Sequence, residues 1–427
     1  MTEGPFSGVV RHVYVHVPFC RERCDYCDFA STAVGAPDGR AEEASGSGAA
    51  RERLLDRYVE AVAVEWERER AARDVGRLET LYVGGGTPSL LGTRRLERLL
   101  QPFRRFLTPA AEVTVEVNPE DVDDGFARWA ASGLPAGGEG SDATAARPAG
   151  ARAGTPSGGQ TRSLRISLGV QSFDPGLRAA LGRRAAADPA VAARRLRAAG
   201  VSDLSIDLMH GIPGQTAAML GDDVATVLDL RPGHVSWYEL DLVEGTALAA
   251  RLEGSSPTTG RTAVTGPDED ERAVTYRRIV RELTGAGYAW YEVSNFALPG
   301  RRARHNVAYW RACPYLGLGA GAVSTVGRRR WTDLPDAAAY VDALLSGAPP
   351  PREVEELSAV DLARERLMLA ARCGLRVPLG EVAAALAPEA LPPLAAAGMI
   401  SLHGGTIAVT RKGRYLANEV SVRLYRV

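Results

Sequence analysis

The chain has 427 residues, of which 45% are hydrophobic and 24% are charged, and its formal net charge is −1. These values are typical of a globular protein with one large domain and one smaller domain. The near-zero net charge excludes a general electrostatic attraction to nucleic acid or to anionic lipid.

The N-terminal residues 1–10 show no secretory signal, and no stretch approaches the roughly 18 apolar residues of a membrane span. We therefore expect no membrane span, no nucleic-acid partner and a cytoplasmic location. The chain has five cysteines. In a reducing compartment such thiols bind metals more often than they form disulfides.

The first predicted strand, Val13–Val17, leads directly into three cysteines with the spacing C-x3-C-x2-C: Cys20, Cys24 and Cys27. Three thiolates on a loop after a strand predict a metal site. Structural zinc and ordinary iron–sulfur clusters use four protein ligands. A cubane held by three cysteines keeps one iron open for a small molecule.

Two alternatives remain open on the cysteines alone. Zinc could take His16 as a fourth ligand, although strand alternation places His16 on the face opposite Val15 and Val17. The three thiols could also be small structural residues, although the loop between them is polar.

The next element is a predicted helix at Leu54–Arg73, followed by a second strand at Thr80–Val83. This strand ends in GGGTP, at positions 84–88, where glycines let the backbone approach a ligand closely. On its own, such a run is equally consistent with a plain tight turn.

The third strand, Val113–Val117, and the fifth, Asp203–Leu208, each carry an acid near their end: Glu116 and Asp207. Because an unpaired buried carboxylate is costly, we expect these acids to hold hydroxyl or amine groups of a ligand. The alternative is that they face solvent at the strand end.

The remaining strands are predicted at Leu164–Val170 and Val235–Leu240, with Gln171 and Arg183 just beyond a strand end and a helix end. Alternating strands and helices predict parallel strands with right-handed crossovers. We therefore expect an α/β fold in which residues 1–267 form a partial (β/α)6 TIM barrel with its site at the C-terminal rim. Two stretches, 35–50 and 131–163, are expected to be flexible insertions.

From residue 268 the pattern changes, and 268–427 is expected to be an α+β domain that ends in a winged-helix-like unit. Its tail has no concentrated stripe of basic residues. A role in packing or in partner binding is therefore favoured over nucleic-acid binding.

Seven motifs, in order and spacing, resemble the radical SAM superfamily: VYVHVPFCRERCDYCDF, GGGTP, EVNPE, RISLGVQSF, LGRR, SIDLMHGIPGQT and HNVAYW. Within it, the chain resembles the family shared by oxygen-independent coproporphyrinogen III oxidases and HemW-type heme chaperones. The resemblance implies that Cys20, Cys24 and Cys27 hold a [4Fe-4S] cluster. It also implies a set of contacts with S-adenosylmethionine: Tyr14, Phe29, Gly85, Gly86, Thr87, Glu116, Gln171, Arg183 and Asp207.

Three features favour the chaperone subgroup. The oxidase pattern has a further cysteine where this chain has Phe29, the arm before Cys20 is short, and HNxxYW is present from His305 to Trp310. The resemblance implies heme as a ligand, with His305 as a candidate axial ligand. A buried histidine bonded within the core is the alternative.

The resemblance also implies partners: an unidentified heme-acceptor protein and an electron donor such as a flavodoxin or ferredoxin. The alternative function is radical decarboxylation of coproporphyrinogen III to protoporphyrinogen IX. Whether the chain is an enzyme stays open at this point.

Overall fold

The computed structural model describes residues 6–35, 47–134, 162–185, 187–253 and 266–426. Its strands are β1 Val10–Val17, β2 Phe19–Cys20, β3 Thr32–Ala33, β4 Val75–Gly85, β5 Leu107–Val117, β6 Leu164–Gln171, β7 Asp203–His210, β8 His234–Glu239, β9 Ala289–Glu292, β10 Asn295–Ala297, β11 Tyr315–Leu318, β12 Val323–Val326, β13 Arg329–Asp333, β14 Arg352–Glu356, β15 Val377–Pro378, β16 Ile400–His403 and β17 Thr406–Val409.

The α-helices in the same ranges are α1 Ser47–Ala72, α2 Gly92–Leu100, α3 Asp124–Ser132, α4 Pro175–Ala180, α5 Pro189–Ala198, α6 Ala217–Leu230, α7 Ala247–Glu253, α8 Glu269–Gly285, α9 Arg304–Trp310, α10 Ala337–Leu345, α11 Ala359–Cys373, α12 Leu379–Val382, α13 Leu391–Ala396, α14 Arg411–Arg414 and α15 Ala417–Leu424. In these ranges, no helix combines the length and the apolar composition that crossing a bilayer requires.

The six predicted barrel strands lie side by side at the centre of one large sheet. They run parallel in the order β1-β4-β5-β6-β7-β8, and each is joined to its neighbour by direct strand pairing. The fold is therefore the expected α/β partial barrel, open rather than closed upon itself.

The sheet continues past both edges of the six strands. Beyond β1 it adds the parallel strand β11 and then the antiparallel strands β12, β13 and β14, and beyond β8 it adds β10 and β9. All of these strands come from residues after 268. The boundary at 267/268 stays a prediction, because this region shares the sheet with the barrel.

The two faces of the barrel strands differ sharply in composition. The outward positions are valine, leucine and isoleucine, such as Val15, Val83 and Ile166, and they form the main hydrophobic core with the surrounding helices. The inward positions are polar on every strand: His12, Tyr14, His16, Thr80, Tyr82, Glu112, Thr114, Glu116, Arg165, Ser167, Asp203, Ser205, Asp207, His234 and Ser236. The barrel interior is thus a polar chamber enclosed by an apolar shell.

The two expected insertions fall largely outside the described residues, which omit 36–46 and 135–161. Helix α1 begins at Ser47, before the expected start at Leu54. At the second insertion, Leu134 and Arg162 form an isolated antiparallel bridge with two backbone hydrogen bonds of 2.9 Å. The chain leaves and returns at this bridge, and β5 and β6 still pair directly.

The C-terminal residues form the expected winged-helix-like unit. Helices α11, α13 and α15 pack around the small sheet β15-β17-β16, and their buried side chains form a hydrophobic cluster of their own. The Arg414 side chain donates to the Trp290 carbonyl at 2.7 Å, and Arg372 lies 2.7 Å from Glu292. These contacts attach the unit to the β9 edge of the large sheet.

Candidate functional site

The loop that carries the three cysteines lies over the C-terminal ends of the barrel strands. Cys20 is in β2, which pairs with β3 and so closes the loop at its base. Asp25 anchors the middle: its N–H donates to the Leu181 carbonyl at 3.0 Å, and its carbonyl accepts from the Leu248 N–H at 2.7 Å. The loop is therefore fixed to the barrel on two sides.

The surroundings of the thiols fit a cluster rather than inert core cysteines. Thr87 Oγ1 donates to Cys20 Sγ at 3.6 Å. A Cβ at Gly86 would lie 2.9 Å from that sulfur, so only glycine leaves room there. Burial raises the pKa of the Cys24 thiol to about 11, and the Arg183 guanidinium opposes this rise. A positive group beside the thiols favours the thiolate form that binds metals.

A zinc site with His16 as its fourth ligand is not favoured by this geometry. His16, the alternative zinc ligand, uses both ring nitrogens elsewhere: Nδ1 bonds to Tyr14 Oη at 2.9 Å and Nε2 to the Ala30 carbonyl at 2.8 Å.

Below the loop, the barrel encloses a cavity of about 630 Å³. All of the predicted site residues line it except Tyr14 and His305. A volume of this size is typical of a site for one small molecule or cofactor. The structure thus brings the three cysteines, the glycine turn and the two acids together around one space.

Glu116 projects into this cavity from β5. Its carboxylate accepts from Tyr82 Oη at 2.7 Å and from the Gly85 N–H at 3.1 Å. Burial raises the pKa of Glu116 to about 7, despite these two donors. The glycine turn and the acid are therefore a single structural unit, and the acid can accept further hydrogen bonds from a ligand.

Asp207 lies across the cavity on β7. It accepts from Ser167 Oγ at 2.7 Å and from Ser205 Oγ at 3.3 Å. Burial raises the pKa of this carboxyl above its ordinary value. Glu116 and Asp207 lie on different strands, and each accepts hydrogen bonds from nearby hydroxyl groups. Such a pair of acids suits a ligand that carries several hydroxyl or amine groups.

Gln171 and Arg183 complete the rim. Gln171 has a left-handed backbone conformation with φ of 64°, which is uncommon for a residue other than glycine. Arg183 donates to the Gly169 carbonyl at 2.7 Å and to Asn118 Oδ1 at 2.5 Å, and Asn118 in turn donates to Thr87 at 3.2 Å. The guanidinium is thus positioned for an anionic group near the thiols.

Tyr14 lies beside the cavity without lining it. Its hydroxyl bonds to His16, and its ring lies 6.0 Å from that of Tyr82. Phe29 lines the mouth and is 61% exposed. It is the most solvent-accessible of the predicted contacts.

His305 occupies a different place, at the closed end of the barrel. It is 1% exposed, and its Nδ1 bonds to Thr80 Oγ1 at 2.7 Å, while Nε2 has no hydrogen-bond partner. Its ring packs between those of Tyr82 and Tyr309. Burial lowers the pKa of His305 to about 3, so the imidazole is neutral.

Sequence reasoning named Tyr14, His16, Glu116 and Asp207 among the polar inner-face residues and missed the others. Several of them line the cavity: Tyr82, Thr114, Arg165, Ser167, Ser205, His234 and Ser236. The signal was available as strict alternation of polar and apolar residues along each strand. The flanking residue Asn118, inside the EVNPE motif, is the other omission.

Two bacterial heme chaperones are similar to the chain over most of its length. The chain is 34% identical over 421 residues to the heme chaperone HemW of Mycobacterium tuberculosis, a match that covers 98% of this chain and 95% of that protein. It is 32% identical over 365 residues to the heme chaperone HemW of Lactococcus lactis, a match that covers 84% of this chain and 80% of that protein. No family model matches the chain.

Among solved structures, the chain resembles coproporphyrinogen III oxidase (HemN) from Escherichia coli, which is described as a radical SAM enzyme. The TM-score is 0.71 at 20% identity, and the match covers 99% of this chain and 90% of that one. At this identity the likeness shows a shared fold.

Proposed function

Because this chain belongs to the HemW family of heme chaperones, we propose that it binds heme and transfers it to an acceptor protein, and that it carries a [4Fe-4S] cluster and S-adenosylmethionine. The observation that carries this proposal is the identity of 34% over nearly the whole chain. The acceptor and an electron donor such as a flavodoxin or ferredoxin are the protein partners that this role needs.

The cluster ligands in this proposal are Cys20, Cys24 and Cys27. When bound, a [4Fe-4S] cluster with one open iron supplies a coordination site for S-adenosylmethionine and a single electron. The chain's own contribution is to hold the three thiolates on an anchored loop and to place Thr87 and Arg183 beside them. The cysteines are all free, which fits the reducing cytoplasm in which we place the protein.

The cofactor in this proposal lies in the cavity below the loop. Glu116 and Asp207 would accept hydrogen bonds from ribose hydroxyls or the amino group, and Arg183 would neutralise the carboxylate. Gly85, Gly86 and Thr87 would let the backbone approach, with Tyr14, Gln171 and Phe29 at the edges. The glycine turn, Glu116 and Gln171 lie at or just beyond the C-terminal ends of β4, β5 and β6, where barrel folds hold their ligands.

The heme ligand in this proposal is His305. Its Nε2 is a buried donor atom for iron with no hydrogen-bond partner, which fits axial ligation in chemical terms. Iron must also be able to reach this atom, and His305 is only 1% exposed on the buried face of α9. Binding therefore requires α9 to move away from the sheet.

Titration of the purified protein with hemin, followed by its absorption spectrum, tests the function. We expect saturable binding with a shifted Soret band, and we expect the His305→Ala variant to bind at least about tenfold more weakly. A matched control is His403→Ala, because His403 is an exposed histidine on β16. Absence of heme binding by the unmodified protein would contradict the chaperone function.

Different results test the assignment of His305 as heme ligand and the alternative oxidase function. Unchanged heme affinity of His305→Ala would remove the ligand role alone. Anaerobic turnover of coproporphyrinogen III by the cluster-loaded protein would instead support the oxidase function.

A further inference from the structure

The segment that leads into α9 is held from inside the barrel by polar side chains. The Glu112 carboxylate accepts from the Arg304 N–H at 2.9 Å and from the His305 N–H at 3.1 Å. Since Ala303, the residue before the helix, provides no side-chain cap, Glu112 performs that task from β5. The helix that carries His305 is therefore docked by the barrel interior.

A second contact reaches the same segment from the cavity side. Asp207 accepts from Ser205 Oγ at 3.3 Å, and Ser205 Oγ bonds to His234 Nδ1 at 2.9 Å. His234 Nε2 bonds to Tyr291 Oη at 2.6 Å, and that oxygen accepts from the Ala303 N–H at 3.1 Å. The four bonds run without a break from a predicted cofactor contact to the residue before α9.

The direction of these bonds is fixed from the Asp207 end. The ionised carboxylate can only accept, so the Ser205 hydroxyl donates its single proton to Asp207 and accepts from His234 Nδ1–H. A neutral imidazole has no second N–H, so His234 Nε2 accepts from the Tyr291 hydroxyl, which in turn accepts from the Ala303 N–H. Burial lowers the pKa of His234 well below its ordinary value, in agreement with a neutral ring.

Each donor in this chain points toward Asp207, so the chain is strongest when that carboxyl is ionised. Hydrogen bonds to a charged acceptor are roughly twice as strong as neutral ones, and linked bonds polarise one another. A ligand that brings a positive group or hydroxyl donors to Asp207 favours the ionised form. Such a ligand therefore tightens the hold on the segment before α9.

We infer that Tyr291 is a positioning residue that couples the cavity to α9, so that S-adenosylmethionine at Asp207 keeps α9 docked and weakens heme binding at His305. This inference rests on the proposed function, because it assigns a regulation to its two ligand sites. Coupling between sites is reciprocal, so heme must weaken S-adenosylmethionine binding by the same factor.

The test compares the unmodified protein with Tyr291→Phe, which keeps the ring and removes the hydroxyl. Heme affinity is measured on the cluster-loaded protein with and without S-adenosylmethionine. We expect the cofactor to weaken heme binding at least about fivefold in the unmodified protein and less than about twofold in Tyr291→Phe.

The matched control is Tyr288→Phe. Tyr288 is a buried tyrosine three residues earlier, and its hydroxyl donates to the Pro232 carbonyl at 2.7 Å, away from the chain of bonds. We expect it to keep the full coupling. If S-adenosylmethionine leaves heme affinity unchanged in the unmodified protein, or if Tyr291→Phe couples as strongly as Tyr288→Phe, the inference is wrong.

Amide hydrogen exchange of α9 provides a readout that does not depend on heme. S-adenosylmethionine should slow exchange across 304–310 in the unmodified protein and in Tyr288→Phe, and should leave Tyr291→Phe unchanged. Equal slowing in all three proteins would overturn the coupling. Failure to bind heme, with the exchange pattern intact, would instead contradict the proposed function alone.

Discussion

The open end and the closed end of the barrel use the same kind of residue for different purposes. At the open end, Glu116 and Asp207 face a cavity and keep part of their hydrogen-bonding capacity for a ligand. Toward the closed end, Glu112 and Arg165 face one another at 3.5 Å, and Arg165, which also borders the cavity, donates to the Arg301 carbonyl. Inward-facing charged residues are thus available to a ligand at the open end, whereas at the closed end they hold the segment that leads into α9.

The difference teaches that alternation of polar residues identifies the barrel interior but not the site within it. The segment 301–310 packs against the closed end, where Arg165 donates to the Arg301 carbonyl and Glu112 accepts from the first N–H groups of α9. The cysteine loop lies over the open end, where Glu116 and Asp207 face the cavity. Variants at each end therefore test whether this division holds.

The largest effect is expected at the open end, from Cys24→Ser. Removing one of three thiolates leaves too few ligands for the cluster, so anaerobically purified protein should lose both iron and sulfide. Metal and sulfide analysis with the visible spectrum measures this loss. The control is Cys313→Ser, a half-buried cysteine outside the cavity, which should keep the cluster. Retention of the full cluster by Cys24→Ser would contradict the ligand assignment.

At the closed end, Glu112→Ala should destabilise the folded protein by about 3 kcal/mol, because it removes one of the two acids that face the buried Arg165 charge and leaves α9 without its cap. The side chains of Arg165 and Glu112 are 4% and 8% exposed, respectively. Chemical denaturation measures the change in the free energy of unfolding.

The control for this variant is Glu79→Ala. Glu79 is 41% exposed and lies 3.7 Å from Arg11, so its loss should cost no more than about 1 kcal/mol. Equal effects of the two variants would mean that the closed end is not a docking site.

The pH dependence of stability sharpens the comparison at Glu116. The folded protein without ligands holds a proton on this carboxyl up to about pH 7, whereas its ordinary pKa is 4.5. The unfolded chain thus releases the proton first, and the free energy of unfolding falls as pH rises through this window. Glu116→Gln should remove a pH-dependent loss on the order of 3 kcal/mol.

Denaturation of both proteins at several pH values across this window measures the difference. Parallel pH profiles would contradict the raised pKa. The affinity of the unmodified protein for S-adenosylmethionine should rise with pH through the same window, because the ionised carboxylate is the stronger acceptor.

The smallest effect is expected from Thr87→Val beside the thiols. The substitution removes the donor to Cys20 and the acceptor for Asn118, and should cost about 1 kcal/mol of stability. The cluster should remain, since all three thiolates are intact. Loss of iron from this variant would show that the hydroxyl, and not only the cysteines, is required to hold the cluster.

Local sequence was sufficient to predict the barrel strands and most residues of the open end. Each of the six strands lies where the apolar runs placed it, because a parallel strand buried by helices must be apolar on its outer face. The acids Glu116 and Asp207 stood out because they interrupt such runs near the strand ends. These features are properties of a few neighbouring residues, and neighbouring residues are what a sequence shows directly.

Only the tertiary structure decided how distant segments meet. The sequence presented His305 beside two aromatic residues, but its burial under Thr80 and Tyr82 depends on β4, more than 200 positions away in the chain. Local sequence likewise did not predict that β11 lies beside β1, or that four hydrogen bonds connect Asp207 with Ala303. Such contacts join residues that are far apart in the sequence, and no local pattern predicts them. They are decided by the tertiary packing of the strands and helices.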